Sequence, residues 1–197
     1  HQMEEALLAL LQSARVPLLA QLFALVSAFG NAAFIWFFLA LVMIFLPERR
    51  RAGMVTIIAL LITLIVGNIL CGIIGRTRPC IELAAITSVV GVSQAGASFP
   101  DLHTATSFAA ATVFFLLSGR RSGVAAFVLA ALMAFAQMYL GVAYPTDVFA
   151  GIVLGLVIGV LVSYFYNQYF GDFLMGKIGI KKSGKRKSVN IGKHSRL

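Results

Sequence analysis

Charged residues are scarce in this sequence. Asp, Glu, Lys and Arg make up 12% of its 197 residues, whereas 60% are hydrophobic. A soluble globule of this size needs more polar surface than that composition supplies, so a bilayer is expected to solvate most of the chain. The apolar segments follow one another with only short polar breaks, which predicts a single membrane domain over residues 3–170.

Acidic residues and cysteines are scarcer still. The chain has 7 acidic residues against 16 basic ones, a net charge of +9, and 2 cysteines. The basic residues lie in short clusters between apolar runs and near the C-terminus, a distribution that indicates membrane topology and makes a nucleic-acid partner unexpected. Cys71 lies within an apolar run and Cys80 in a polar loop. This placement indicates no disulfide framework.

The apolar runs are close to the roughly 20 residues that a helix needs to cross a bilayer, which predicts an all-α, polytopic transmembrane bundle of five to six membrane helices. The five clearest spans are Ala32 to Leu46, Gly53 to Ile74, Leu102 to Ser118, Gly123 to Val142 and Val148 to Tyr166. The segment from Glu4 to Phe29 carries Arg15 and Pro17 in its middle. Because a charge at mid-bilayer costs at least about 3 kcal/mol, we expect an interfacial helix there, followed by a short inserted one.

The last span carries three glycines, Gly151, Gly155 and Gly159, at four-residue spacing. This spacing places them on one face of a helix, where another helix can approach closely. The pattern predicts a packing surface and no chemistry.

Lys and Arg predict the orientation. Arg49 to Arg51, Arg120 and Arg121, and the tail beyond Lys177 fall on one side if the later spans alternate, and that side is expected to be cytoplasmic. The protein is then an integral protein of the plasma or inner membrane, with the opposite loops extracytoplasmic. Residues 171–197 are rich in Gly, Ser and Lys, so we expect a disordered tail that contacts anionic lipid.

Three polar patches lie at the outer ends of these spans: CGIIGRTRP from Cys71 to Pro79, FPDLHTA from Phe99 to Ala105, and AQMYLGVAYPTD from Ala136 to Asp147. In order and spacing they resemble the three signature motifs of the type 2 phosphatidic acid phosphatases. That family's pattern is Lys, six residues, Arg-Pro; then Pro-Ser-Gly-His; then Ser-Arg, five residues, His, three residues, Asp. The resemblance extends from about Gly30 to Tyr166.

The resemblance implies hydrolysis of phosphomonoesters or diphosphates without metal or cofactor. In the family, the His of the third motif attacks phosphorus, the following Asp orients it, and the His of the second motif protonates the leaving oxygen. The Lys, both Arg residues and the Ser-Gly backbone hold the phosphate oxygens. This division of roles suits phosphoryl transfer, which needs an in-line nucleophile and donors preset around three charged oxygens.

Carried over residue by residue, the match is partial. The motif residues that remain are Arg78, Pro79, Pro100, His103 and Asp147. The positions that differ are Cys71 for Lys, Asp101 and Leu102 for Ser-Gly, Ala136 and Gln137 for Ser-Arg, and Ala143 for the nucleophilic His. An alanine has no lone pair to attack with, so hydrolysis by the family route is not expected.

The changes also alter the charge of the implied pocket, which loses cations at positions 71 and 137 and gains a carboxylate at 101. A ligand less negative than a phosphate monoester should be preferred. We expect Asp101 to pair with Arg78 or Arg76, standing where a phosphate oxygen would lie.

Simpler interpretations stay open for these residues. Asp101 and Asp147 each precede a span close to a proline, so both could be helix N-caps. His103 could be an interfacial side chain, and Arg76 and Arg78 could be headgroup anchors. A divalent metal held by Asp101, His103 and Asp147, with Glu82 as a further ligand, is the weaker alternative to no metal at all.

Three functions follow from the resemblance. The favoured one is a non-hydrolytic member of the family that binds, carries or scaffolds a lipid, with a polyprenyl or glycerolipid phosphate headgroup in the pocket. The alternative is a phosphatase of lipid phosphates or diphosphates that uses a relocated nucleophile or a metal-activated water. The third is a partner-binding membrane protein without a headgroup pocket.

Overall fold

The structure, a computed structural model, describes residues 2–13, 16–28, 32–79 and 97–170, and these residues contain helices and turns but no strand. The helices are α1 (Gln2–Ser13), α2 (Pro17–Ala28), α3 (Ala32–Phe45), α4 (Arg50–Ile74), α5 (Leu102–Leu117), α6 (Arg120–Tyr139) and α7 (Pro145–Phe165), followed by a π-helical turn at Tyr166–Phe170. The predicted all-α class is confirmed. Three features of the sequence predictions lie outside the described residues: Cys80, the further metal ligand Glu82 and the tail at 171–197.

Three of the described helices are long and apolar enough to cross a membrane: α4, α6 and α7, the last continuing to Gln168. Two shorter apolar helices, Ala33–Phe45 and Leu102–Leu117, fall at the other predicted spans. The chain leaves α6 three residues before the predicted end because it turns sharply at Gly141, whose φ of 70° lies in the left-handed region that favours glycine.

The N-terminal segment is divided into two helices of 12 residues each, as predicted. Pro17 opens α2, where its missing N–H costs no hydrogen bond. Arg15 lies outside the described residues, and the interfacial position of α1 stays a prediction.

Helix α5 lies at the centre of the bundle, packed against α4, α6 and α7. Its close approach to α7 depends on the three predicted glycines. A methyl group built on Gly151 would lie 2.6 Å from the carbonyl oxygen of Asp101, and one on Gly159 would lie 2.6 Å from Cβ of Thr112. The predicted packing surface is confirmed, and it brings the start of α7 against the start of α5.

The first basic cluster lies at the other end of the bundle. Arg51, in the first turn of α4, donates a hydrogen bond to Oδ1 of Asn167 and lies 5.4 Å from the ring centroid of Tyr166, just beyond α7. The start of α4 and the end of α7 therefore share one end, and the three polar patches share the opposite one.

Candidate functional site

Hydrogen bonds join the three polar patches to one another. The amide of Ser98 donates to the carbonyl of Arg76 at 2.8 Å, and the amide of Asp101 donates to the carbonyl of Asp147 at 3.0 Å. The Cys71 thiol lies 3.6 Å from the carbonyl oxygen of Pro100. Residues distant in sequence thus form one site where α4 ends and where α5 and α7 begin.

Asp147 forms the central ion pair of this site. Its side chain is fully buried, with Oδ1 2.7 Å from Nη1 of Arg76, while Oδ2 accepts a hydrogen bond of 3.0 Å from the amide of Tyr144. The second contact belongs to a capping box in which Tyr144 is the N-cap and Asp147 is the third residue of α7, so the prediction that Asp147 is itself the N-cap is wrong. Both carboxylate oxygens therefore have partners without an imidazole at position 143.

The expected pairing of Asp101 with Arg76 or Arg78 is wrong. Asp101 is the N-cap of α5, and its Oδ2 accepts hydrogen bonds from the amide and the hydroxyl of Thr104 at 2.9 and 2.5 Å. The capping interpretation is confirmed for this residue. The first turn of α7 presents Asp147 to Arg76, which leaves Asp101 to satisfy the free donors of its own helix.

His103 retains a carboxylate neighbour. Its Nδ1 lies 3.9 Å from Oδ1 of Asp101, and its side chain is partly exposed. An imidazole held at this distance from a buried carboxylate can orient one ring nitrogen inward and leave the other accessible.

Arg78 keeps an unopposed charge. Its Nη1 donates to the carbonyl of Val142 at 3.3 Å, next to Ala143, while its buried Nε has no hydrogen-bond partner. In the part of the chain that the structure describes, no carboxylate lies within ion-pair distance of Arg78. This guanidinium is the clearest place in the site for an anion.

The altered motif positions are mostly buried. Ala136 and Ala143 have 3% and 0% of their surface exposed, and Gln137 has 1%. Neither amide atom of the Gln137 side chain has a hydrogen-bond partner. Leu102, at the family's Gly position, packs directly over Gly67 of α4. A buried amide without partners is costly, which makes Gln137 a candidate contact for a bound polar group.

The metal alternative gains no support from the described residues. Asp101, His103 and Asp147 form no group of three metal-ligating side chains there. The carboxylate of Asp147 instead contacts the cation Arg76.

Glu4 belongs to the site although no sequence signal pointed to it. Its Oε1 accepts a hydrogen bond of 2.6 Å from the hydroxyl of Thr146, and its Oε2 lies 3.2 Å from Nη2 of Arg76. Burial by itself would raise the pKa of Glu4, but the hydrogen bonds from Thr146 and Arg76 outweigh it and hold the pKa below its ordinary 4.5. Glu4 lies in α1, outside all three motifs, so the resemblance did not include it.

A helical bundle whose three motif loops meet at one end fits the family that the sequence motifs resemble. The sequence profile of the PAP2 superfamily matches residues 52–170. The chain belongs to this superfamily.

Two named relatives and two solved structures support this assignment. The chain is 36% identical over 138 residues to decaprenylphosphoryl-5-phosphoribose phosphatase of Mycobacterium tuberculosis, covering 69% of this chain and 74% of the relative. It is 23% identical to undecaprenyl-diphosphatase of Sulfolobus acidocaldarius, covering 66% of this chain and 62% of that relative.

The structural neighbours show the same fold. The PAP2-type phosphatidylglycerolphosphate phosphatase of Bacillus subtilis superposes with a TM-score of 0.70 at 22% identity, covering 85% of this chain and 86% of the other. Aquifex aeolicus LpxE superposes with a TM-score of 0.67 at 26% identity, covering 80% and 92%. The family profile and the 36% identical relative confirm the predicted family, and the membrane-protein neighbours together with the apolar helices support an integral membrane protein.

Proposed function

We propose that this protein binds the phosphate headgroup of a membrane lipid, of the polyprenyl phosphate or glycerophospholipid class, without hydrolysing it by the family's covalent route. The observation that carries the proposal is the methyl group of Ala143 at the nucleophile position, fully buried beside a site that keeps Arg78. An alkyl side chain can form no phosphoryl-enzyme intermediate.

The charges of the site support a headgroup with a single negative charge. Arg78 offers one unopposed cation, whereas Asp101 and Asp147 add buried carboxylates, the second of which is already paired with Arg76. A phosphodiester, or a polyprenyl monophosphate that keeps one proton, suits this balance better than a phosphate dianion. The neutral amide of Gln137 can donate a hydrogen bond without adding charge.

An apolar cavity supports a lipid as the ligand. A space of about 220 Å³ lies between α2, α3 and α6, lined by Phe23, Trp36, Leu132 and, at the third motif, Ala136. An acyl or isoprenoid chain in this space would have its headgroup near the motif loops. Both sequence relatives are named for polyprenyl substrates, which favours an isoprenoid chain.

The test is lipid binding by purified protein in nanodiscs, measured by native mass spectrometry with undecaprenyl phosphate and with phosphatidylglycerol. Arg78→Gln should weaken binding by roughly tenfold or more, because it removes charge-assisted hydrogen bonds to the phosphate. The control is Arg121→Gln, which removes an exposed positive charge at the start of α6, away from the motif loops. Equal binding by both variants would contradict the proposal.

Hydrolysis by a different route is the second candidate, and the relatives' names favour it because both are phosphatases. His103, 3.9 Å from Asp101, is the group that would activate a water molecule in place of the lost nucleophile. Phosphate release from phosphatidic acid, phosphatidylglycerol phosphate and undecaprenyl diphosphate, with and without divalent ions, separates the two candidates. Release that is lost in His103→Ala would favour hydrolysis.

The proposed orientation places the motif loops outside the cytoplasm and the basic tail within it. Arg51 and the end of α7 lie together, as alternation requires, and the positive-inside rule assigns that end to the cytoplasm. The headgroup would then enter from the extracytoplasmic leaflet of the plasma or inner membrane.

A further inference from the structure

The Glu4 carboxylate occupies a position built to hold an anion. Oε1 accepts hydrogen bonds from the hydroxyl and the amide of Thr146, at 2.6 and 3.3 Å, and Oε2 lies 3.2 Å from Nη2 of Arg76. The residues lie 142 and 72 positions apart in sequence, so only the fold assembles this position. A guanidinium, a hydroxyl and an amide near a helix start form a donor set that also suits phosphate oxygens.

The donors are held in place independently of Glu4. Nη1 of Arg76 contacts both Oδ1 of Asp147 and Oγ1 of Thr146 at 2.7 Å. The guanidinium also lies 4.0 Å from the ring centroid of Tyr144. Arg76 would therefore keep its position if Glu4 moved away, and the site would remain preorganised for another anion.

Glu4 has a route to solvent. Its side chain is 16% exposed and that of Arg76 is 18% exposed, so this ion pair lies at the edge of the site and not in the core. A cavity of about 590 Å³ opens beside them, lined by Glu4, Ile74, Arg76, Phe99 and Thr146. Helix α1 has a second attachment in Leu8, which is fully buried against Tyr144 and Met138. Release of Glu4 therefore does not require α1 to detach.

We propose that Glu4 is a resident carboxylate that blocks a second anion position at the mouth of the pocket, and that a phosphate group takes its place on Arg76 and Thr146. The phosphate belongs to a lipid headgroup or is free in solution. The lipid source rests on the proposed function, whereas the anion position itself does not. Substituting Glu4 should therefore increase phosphate binding.

The test compares Glu4→Gln with wild type for binding of two probes, inorganic phosphate and dihexanoyl phosphatidic acid, by isothermal titration in detergent. We expect Glu4→Gln to bind at least one probe about threefold to tenfold more tightly, because the glutamine removes the competing charge. Glu5→Gln is the matched control, since Glu5 lies in the same helix and makes no hydrogen bond or ion pair with the described residues. Unchanged affinity in Glu4→Gln would overturn the proposal.

The two probes separate this proposal from the proposed function. If lipid affinity falls in Arg78→Gln but does not change in Glu4→Gln, the proposed function stands and the proposal about Glu4 is rejected. If Glu4→Gln binds inorganic phosphate more tightly and no variant binds lipid, the resident-carboxylate proposal stands and the proposed function fails. Free phosphate would then be the ligand. Glu4→Ala is the second substitution in case Glu4→Gln fails to fold. It also removes the competing charge, so it should bind phosphate more tightly than wild type, and unchanged affinity would overturn the proposal.

Discussion

Position 143 holds a methyl group where the family's third motif has an imidazole, and that methyl is buried in the turn between α6 and α7. The carboxylate of Asp147 still has hydrogen-bond partners despite this change. Asp147 accepts hydrogen bonds from Tyr144 and Arg76, so the group that orients the nucleophile in the family here stabilises the loop. Sequence alone predicts the loss of the nucleophile, whereas the new partner of Asp147 becomes visible only in the structure.

Asp101 combines a local structural role with an unfavourable charge near the pocket. Asp101→Ala should destabilise the protein by about 1 kcal/mol, because the amide of Thr104 loses its capping acceptor. Asp101→Ser keeps a capping oxygen and removes the charge, so its stability should stay near that of wild type while phosphate affinity rises. Thermal melts and phosphate titrations of the two variants check this, and equal melting temperatures would argue against the cap.

Glu4 gives the site a pH dependence whose sign follows from its lowered pKa. A carboxyl whose pKa is lower in the folded state contributes stability above its ordinary 4.5, and that contribution disappears as pH falls through the folded-state pKa. Wild type should therefore melt slightly above Glu4→Gln near pH 6, by about 2 °C or less, and the difference should vanish in acid. A difference that is constant across pH would contradict the assignment.

At the scale of elements, the packing of α5 against α7 positions the second and third motif loops. The sequence predicts this contact well, because glycines at four-residue spacing have few other uses in an apolar helix. It predicts the ends of α6 and α7 less well. Apolar residues continue through Leu140 and Val142, and only backbone geometry places the turn at Gly141.

Gly155→Ala should disturb this contact. A methyl group there would lie 2.9 Å from the amide nitrogen of Ala109, and closer still to the carbonyl oxygen of Ala105, so the helices must separate. We expect a loss of about 1–3 kcal/mol, seen as a lower melting temperature in detergent. Gly72→Ala in α4 is the control, since its methyl meets nothing within 4 Å and should be neutral or slightly stabilising. Equal effects of both substitutions would refute the packing argument.

At the scale of the whole molecule, periodicity and motif order predict the helical bundle, the family and the meeting of the three loops. They do not predict Glu4, because α1 lies outside the motifs and its contact with Thr146 depends on how the first helix docks. They also misassign the partner of Asp101, because three carboxylates and two arginines near one site allow several pairings. Distances decide among them: Arg76 lies 2.7 Å from Asp147 and 3.2 Å from Glu4.

The central claim, that this PAP2 protein binds a lipid phosphate but lacks the family's nucleophile, is tested most directly by phosphate release from undecaprenyl diphosphate and phosphatidic acid. Wild type and Ala143→His alone should release none above background, because the phosphate ligands at the other motif positions are also missing. Restoring the family residue at all six positions should raise phosphate release to at least about a hundredfold above background if the variant folds. The six substitutions are Cys71→Lys, Asp101→Ser, Leu102→Gly, Ala136→Ser, Gln137→Arg and Ala143→His. Steady turnover by purified wild-type protein would contradict the account.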